Sequence, residues 1–301
     1  TLEQFNFTID ENTLTDMEVS IDPEMLGTIF ENLLAEIDPG TEKSARKSTG
    51  SFYTPREIVD YMVVESLVAN LHTKTSINEA LLHTLFGDGD LNPGLVDQRS
   101  ALIDAFDEVK ILDPACGSGA FPMGALHKIN LALQKLDPEA KVWKEKQLSK
   151  IENVAYRNAL KDKLDKSNVD YVRKIGIIQH SIYGVDIQPI ATEISKLRSF
   201  LSLVVDENID DTESNRGIYP LPNLEFKFVT ANTLIGLSKQ SIASATQIGV
   251  GFDFSGVSND LNELQATRDK YLQSFGEEKE SLKNDFIMIQ KRIAKKEYSS
   301  K

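Results

Sequence analysis

"KILDPACGSGAFPMGAL", Lys110 to Leu126, decides the fold. It opens with apolar Ile111 and Leu112, turns through Asp113-Pro114-Ala115-Cys116-Gly117-Ser118-Gly119, and resumes an apolar run at helical spacing. The glycines let backbone approach a ligand closely, and the start of a helix offers N–H donors. Strand, glycine turn and helix N-terminus together form a site for a polar, nucleotide-like ligand.

Upstream, Met25, Leu26, Ile29, Phe30, Leu33, Leu34 and Ile37 recur at i, i+3, i+4 spacing, which predicts an amphipathic helix over Pro23 to Ile37 with Asp22 as its cap. A second helix is expected from Thr54 to Leu71, with Thr54 as N-cap, Pro55 in the first helical position and Glu57 at N3. Residues 72–108 read as a mixed, mostly helical insertion. Downstream, the polar stretch 137–174 is too long for a simple connection and reads as an inserted helical element. "SIYGVDI" (Ser181 to Ile187) is a second strand, Gln188 to Val205 a helix, and the alternating "LEFKFVT" (Leu224 to Thr230) a third strand. From Asn259 to Glu297 a highly charged run with a narrow apolar stripe predicts a long helix or helical hairpin.

Strand–helix repetition predicts an α/β fold with a doubly wound parallel sheet. The expected organisation is an N-terminal helical segment and basic loop (1–49), a core (50–255) with insertions near 72–108 and 137–175, and a charged helical extension (256–301).

Composition narrows the class. A hydrophobic content of 41% in 301 residues supports a sizeable core, and a single cysteine excludes an internal disulfide framework and suits a reducing cytoplasm. No run reaches the apolar length of a membrane span, and the first residues lack a signal-peptide layout, so a cytoplasmic protein without membrane association is expected. A net charge of −13 argues against a general polyanion binder. Lys43, Arg46 and Lys47 form a local basic loop, read as a solvated one.

Ligands of such sheets bind beyond the carboxyl ends of the strands, so three strand ends belong together. Asp113, before the glycine turn, would repel a pyrophosphate and attract an ammonium. Asp186, ending the second strand, is placed to accept both hydroxyls of a ribose. Asn232, after the third, offers a donor and an acceptor, enough to read an adenine edge. Each has an ordinary alternative: a plain βα turn, a helix cap, an Asx-turn. Their shared rim favours the ligand.

The motifs also carry a family resemblance. "DPACGSGAF" resembles the S-adenosylmethionine-binding motif of DNA adenine-N6 methyltransferases in the gamma order, where cofactor motifs precede the catalytic one. "GSFYTP" (Gly50 to Pro55) resembles their upstream cofactor motif, "YGVDIQPIATEISKLR" their ribose-acid segment and "VTANTLIG" their adenine-contact segment. The helix "DPEMLGTIFENLL" resembles type IIG restriction-modification enzymes and phage-exclusion methylases, and the likeness covers roughly residues 22 to 237. It implies a Rossmann-like methyltransferase fold with S-adenosylmethionine as cofactor and double-stranded DNA as partner, the latter mostly through regions outside this chain.

By that resemblance Tyr53 and Thr54 hold the methionine carboxylate and Asp113 faces the ammonium. Ala115, Cys116, Gly117 and Gly119 form the turn against which the cofactor lies. Asp186 holds the ribose, Ile187 packs on adenine, Asn232 addresses its amino group and Leu234 closes the pocket. Asn232 stands where many members carry Asp, and Pro122 where Leu is common. The catalytic (Asn/Asp)-Pro-Pro-(Tyr/Phe) motif is absent, for no Pro-Pro pair occurs in the sequence. No catalytic residue is therefore assigned, and the chain as it stands is expected to bind the methyl donor without methylating DNA.

Other chemistries are not expected. "GDGDLNPGLVDQR" (Gly87 to Arg99) fails as a calcium loop, with Pro93 at the sharp-turn position and Arg99 at that of the bidentate Glu, so it reads as a turn. The four histidines lack ligand spacing, no P-loop is present and no metal site is expected. Two other readings stay open: a non-catalytic donor-binding or assembly module, and a dinucleotide-dependent oxidoreductase, against which the missing third glycine and Asp113 both argue.

Overall fold

The computed structural model describes residues 54–151, 154–165, 167–206, 224–234 and 276–299, with Ile29 and several positions between 260 and 271. The predicted helix at Pro23 to Ile37, the basic loop and Tyr53 lie outside the described residues, apart from Ile29. The chain divides into two compact units, Thr1–Thr233 and Leu234–Lys301.

In the first unit the order is α1 (Arg56–Thr75), α2 (Glu79–Phe86), a 3-10 turn (Pro93–Gln98), α3 (Arg99–Glu108), β1 (Ile111–Asp113), α4 (Ala120–Leu136), α5 (Lys141–Ser149), α6 (Val154–Leu164), α7 (Val169–His180), β2 (Ile182–Asp186), α8 (Pro189–Val204), a 3-10 turn (Leu224–Phe226) and β3 (Phe228–Thr230). The strands form a parallel sheet in the order β1-β2-β3. Asp113 and Asp186 therefore end neighbouring parallel strands on one rim. The fold is α/β, with a small parallel sheet among many helices.

Register assigns the faces. Leu112 pairs with Tyr183 and Val185 with Val229, so these four share one face, while Gly184 pairs with Asp113 and Phe228 on the other. On the second face Ile182, Gly184 and Phe228 are buried, and Thr192 of α8 bonds Thr230 through their hydroxyls at 2.9 Å. On the first, Leu112 is 62% exposed, and Lys227 lies 3.9 Å from the centre of the Tyr183 ring.

α1 packs on α4 through a glycine: a Cβ on Gly124 would sit 2.5 Å from Val59 Cγ1. That approach sets the first turn of α1 beside the second turn of α4. Leu82, Leu85, Leu95, Leu102 and Phe106 continue the core, with Phe86 and Phe106 meeting edge to face. In the inserted element, Trp143 of α5 fills the space over Gly176 of α7. Among the described residues, no helix is long and apolar enough to cross a membrane.

Three sequence expectations need correction. Helix α1 begins at Arg56, not Pro55, and Thr54 is not its cap; Pro55 occupies that position at φ −55°, ψ 144° and its carbonyl accepts from Ile58 and Val59. With ψ at 144° Pro55 is itself extended, so the helix starts one residue later than expected and Thr54 falls outside the capping place. The third strand starts at Phe228, not Leu224, because Leu224–Phe226 curl into a 3-10 turn closed by Lys227 N–H on the Leu224 carbonyl at 2.9 Å. The turn expected at Gly87 to Arg99 is partly a 3-10 helix capped by Asn92, whose carboxamide oxygen accepts from Gly94 N–H. In the second unit α9 (Gly276–Ser299) buries Phe286 and Ile289, and Arg292 pairs with Asp260 and Glu263.

Candidate cofactor-binding site

The glycine turn between β1 and α4 is held peptide by peptide. Cys116 N–H donates to the Val185 carbonyl at 2.9 Å, and Gly119 N–H closes the turn on the Cys116 carbonyl at 2.8 Å. Gly117 N–H donates to Asp186 Oδ2 at 2.9 Å, while the Gly117 carbonyl accepts from Ser195 Oγ at 3.0 Å. The Ser118 carbonyl accepts from Arg198 Nη1 at 2.9 Å. Gly117 and Gly119 sit at φ +52° and +90°, where side chains are strained, and a Cβ on Gly119 would fall 2.9 Å from Ser195 Oγ. The sequence therefore needs glycine at both positions, and α4 starts with its positive end at the turn.

Asp113 closes one side. Its Oδ1 accepts from Ala115 N–H at 3.1 Å, whereas Oδ2 is buried with no hydrogen-bond partner among the described residues. Burial raises its pKa above the ordinary carboxylate value; the Ala115 N–H opposes this and the nearby Asp186 charge adds to it. Asp186 faces the turn from β2 and also accepts from Gln188 N–H through Oδ1 at 2.8 Å. Cys116 is buried against Gly184, and burial followed by the Asp113 charge pushes its thiol up to about 12. It is a protonated packing group, not a nucleophile.

Thus Asp113, Ala115, Cys116, Gly117, Gly119 and Asp186 come together. Asn232 follows β3, and the Ala231 N–H beside it bonds the Asp186 carbonyl at 2.9 Å, which keeps that chain end on the same rim. Ile187, next to Asp186, is 59% exposed. Thr54 is half-buried at the head of α1, whose first turn abuts α4 near the turn. Leu234 is 93% exposed and belongs to the second unit. The sequence does not single out Ser195 and Arg198, whose contacts with the turn exist only across the packing of α8 on it. Among the described residues, no group of His, Cys, Asp or Glu could hold a metal ion.

A rim of two carboxylates around a glycine turn, on a parallel sheet, can hold a ligand that carries both a cation and hydroxyls. The chain is similar to a restriction enzyme and methyltransferase. The relative, from Methanocaldococcus jannaschii, carries the provisional name type II restriction enzyme and methyltransferase, and is 32% identical over 248 residues. That similarity covers 78% of this chain and 18% of the relative, so the chain spans under a fifth of the relative's length. No protein-family profile matches the chain.

Proposed function

We propose that this chain is the S-adenosylmethionine-binding part of a site-specific DNA (adenine-N6) methyltransferase from a restriction-modification or phage-defence system, on a Rossmann-like sheet. The observation that carries the reading is the Oδ2 of Asp113, buried beside the glycine turn and without a hydrogen-bond partner among the described residues. An anionic oxygen kept out of water is stabilised by a cation, and an α-ammonium is the cation that the sequence motifs put beside it. A dinucleotide pyrophosphate would meet two carboxylates there.

In this reading the chain binds and orients. Asp113 pairs with the ammonium, Asp186 accepts from the ribose hydroxyls with the lone pairs its two N–H donors leave, and Gly117 and Gly119 let the ligand lie against backbone. By the sequence motifs, Tyr53 and Thr54 take the carboxylate, Ile187 packs on the adenine and Asn232 addresses its edge. When bound, the donor supplies a methyl group already activated by its own sulfonium, so the protein's part is positioning. The similarity to a restriction enzyme and methyltransferase supports methyl transfer within restriction-modification. Adenine as the target rests on the sequence motifs.

Calorimetric titration tests the reading. S-adenosylmethionine and S-adenosylhomocysteine should bind and NAD should not. Asp113→Asn should weaken both, and should matter far less for an analogue without the amino group. Equal binding of NAD would sink the assignment.

A further inference from the structure

We propose that Ser195 and Arg198 of α8 are positioning residues that fix the glycine turn in its ligand-ready shape. The inference rests on the reading of that turn as the methyl-donor site. Gly117 and Gly119 occupy left-handed backbone, and glycine has more freedom to lose than any other residue, so the turn does not hold itself. Something outside must hold it, and the contacts are specific. Gly117 is gripped from both sides, its N–H by Asp186 and its carbonyl by Ser195. The next peptide is gripped by Arg198 through the Ser118 carbonyl, and Arg198 Nη1 also lies 3.5 Å from Ser118 Oγ.

All three grips come from one short segment, Asp186 to Arg198: the end of β2 and the first three turns of α8. The two helix residues stand three apart and so face the same way. Arg198 is only 4% exposed. A buried guanidinium is costly without fixed acceptors, and its planar fork suits the holding of a carbonyl. A turn ordered before the ligand arrives spares the ligand that ordering cost, so these residues act on affinity without touching the ligand. Ser195 also limits the turn sterically, because its Oγ occupies the place a Cβ at 119 would need.

The test separates affinity from stability. Binding of S-adenosylhomocysteine is measured by calorimetry well below the unliganded melting temperature, on the parent, on Ser195→Ala and on Arg198→Lys. Ser195→Ala should weaken binding about three- to tenfold, the worth of one hydrogen bond. Arg198→Lys keeps the charge but loses the fork, and should weaken binding on the order of tenfold even where the serine variant folds poorly. A lower melting temperature with affinity within about twofold of the parent, in both variants, means a merely structural role and overturns the inference. A parent that does not bind overturns the donor-site reading and this inference together; a parent that binds beside unaffected variants overturns this inference alone.

Discussion

Asp186 Oδ2 accepts the Gly117 N–H at 2.9 Å, so the end of β2 holds the turn that follows β1. The two residues are 69 positions apart, and helices α4 to α7 lie between them. One carboxylate thus shapes the turn and also stands on the rim where the strands end.

Asp186→Asn should expose that double duty. The carboxamide keeps one acceptor oxygen, but its amino group must then face either Gly117 N–H or Gln188 N–H. Charge-assisted hydrogen bonds are worth about 1.5–3 kcal/mol, and a loss in that range is expected in urea unfolding. Amide exchange at Gly117 should accelerate as well. Wild-type protection at Gly117 in the variant would show that Asp186 does not hold the turn.

Gly119→Ala tests the turn's backbone. At φ +90° a Cβ costs about 1–2 kcal/mol, and its approach to Ser195 Oγ at 2.9 Å adds overpacking of about 1–3 kcal/mol. Gly184→Ala, whose Cβ would meet Phe228 at 2.7 Å and Cys116 Sγ at 2.9 Å, should be destabilised by overpacking alone, about 1–3 kcal/mol. Urea midpoints unchanged in both would contradict the crowding on this face of the sheet.

Local pattern made most of this site legible, because a strand end, a glycine turn and a helix start are all short-range events. Asp113, Gly117, Gly119 and Asp186 are adjacent to such events, and the structure brings them together. The Thr54 cap and the strand through Leu224 were misread for local reasons too: proline geometry at one, and a 3-10 turn that competes with alternation at the other. Ser195 and Arg198 were illegible because their role exists only across the contact between α8 and the turn. A serine and an arginine on a helix carry no mark of which carbonyl they will meet.

The sheet faces give a third prediction. Ile182 is buried and Leu112 is largely exposed, although both are apolar residues in adjacent strands. Ile182→Ala should cost about 2–5 kcal/mol, whereas Leu112→Ala should stay within about 0.5 kcal/mol of the parent. Denaturant unfolding of the two variants checks this, and similar losses would mean the register assigns the faces wrongly.

His180, immediately before β2, supplies a fourth. Burial first, then the ammonium groups of Lys150, Lys227 and Lys110, push its pKa down to about 3, with Asp107 opposing. A histidine whose folded pKa falls below its ordinary 6.5 favours the neutral ring, so its contribution to stability is present above 6.5 and is lost as pH falls toward about 3. The His180 ring signals should stay flat from about pH 7 to about pH 5 in an NMR titration. A mid-point near the ordinary histidine value would show that the ring is neither buried nor set among these lysines.

Asp113 carries the last prediction, with the opposite sign. Its folded pKa lies above the ordinary 3.8, chiefly through burial, so the fold binds more protons than the unfolded chain between those two values. Its contribution to stability therefore falls as pH rises from about 3.8 through the raised value and remains unfavourable at neutral pH. Asp113→Asn keeps an acceptor for the Ala115 N–H and removes the buried charge. Without ligand the variant should be more stable than the parent at neutral pH, and the gap should close as pH falls to the ordinary carboxylate value. With S-adenosylmethionine the order should invert, because the ammonium pairs only with the ionised carboxylate. Parent affinity should rise with pH through the folded pKa of Asp113, while the variant's affinity stays low and does not follow that titration. Thermal unfolding across pH, with and without ligand, reads both effects in one series. A variant that binds as tightly as the parent at neutral pH would remove Asp113 from the site.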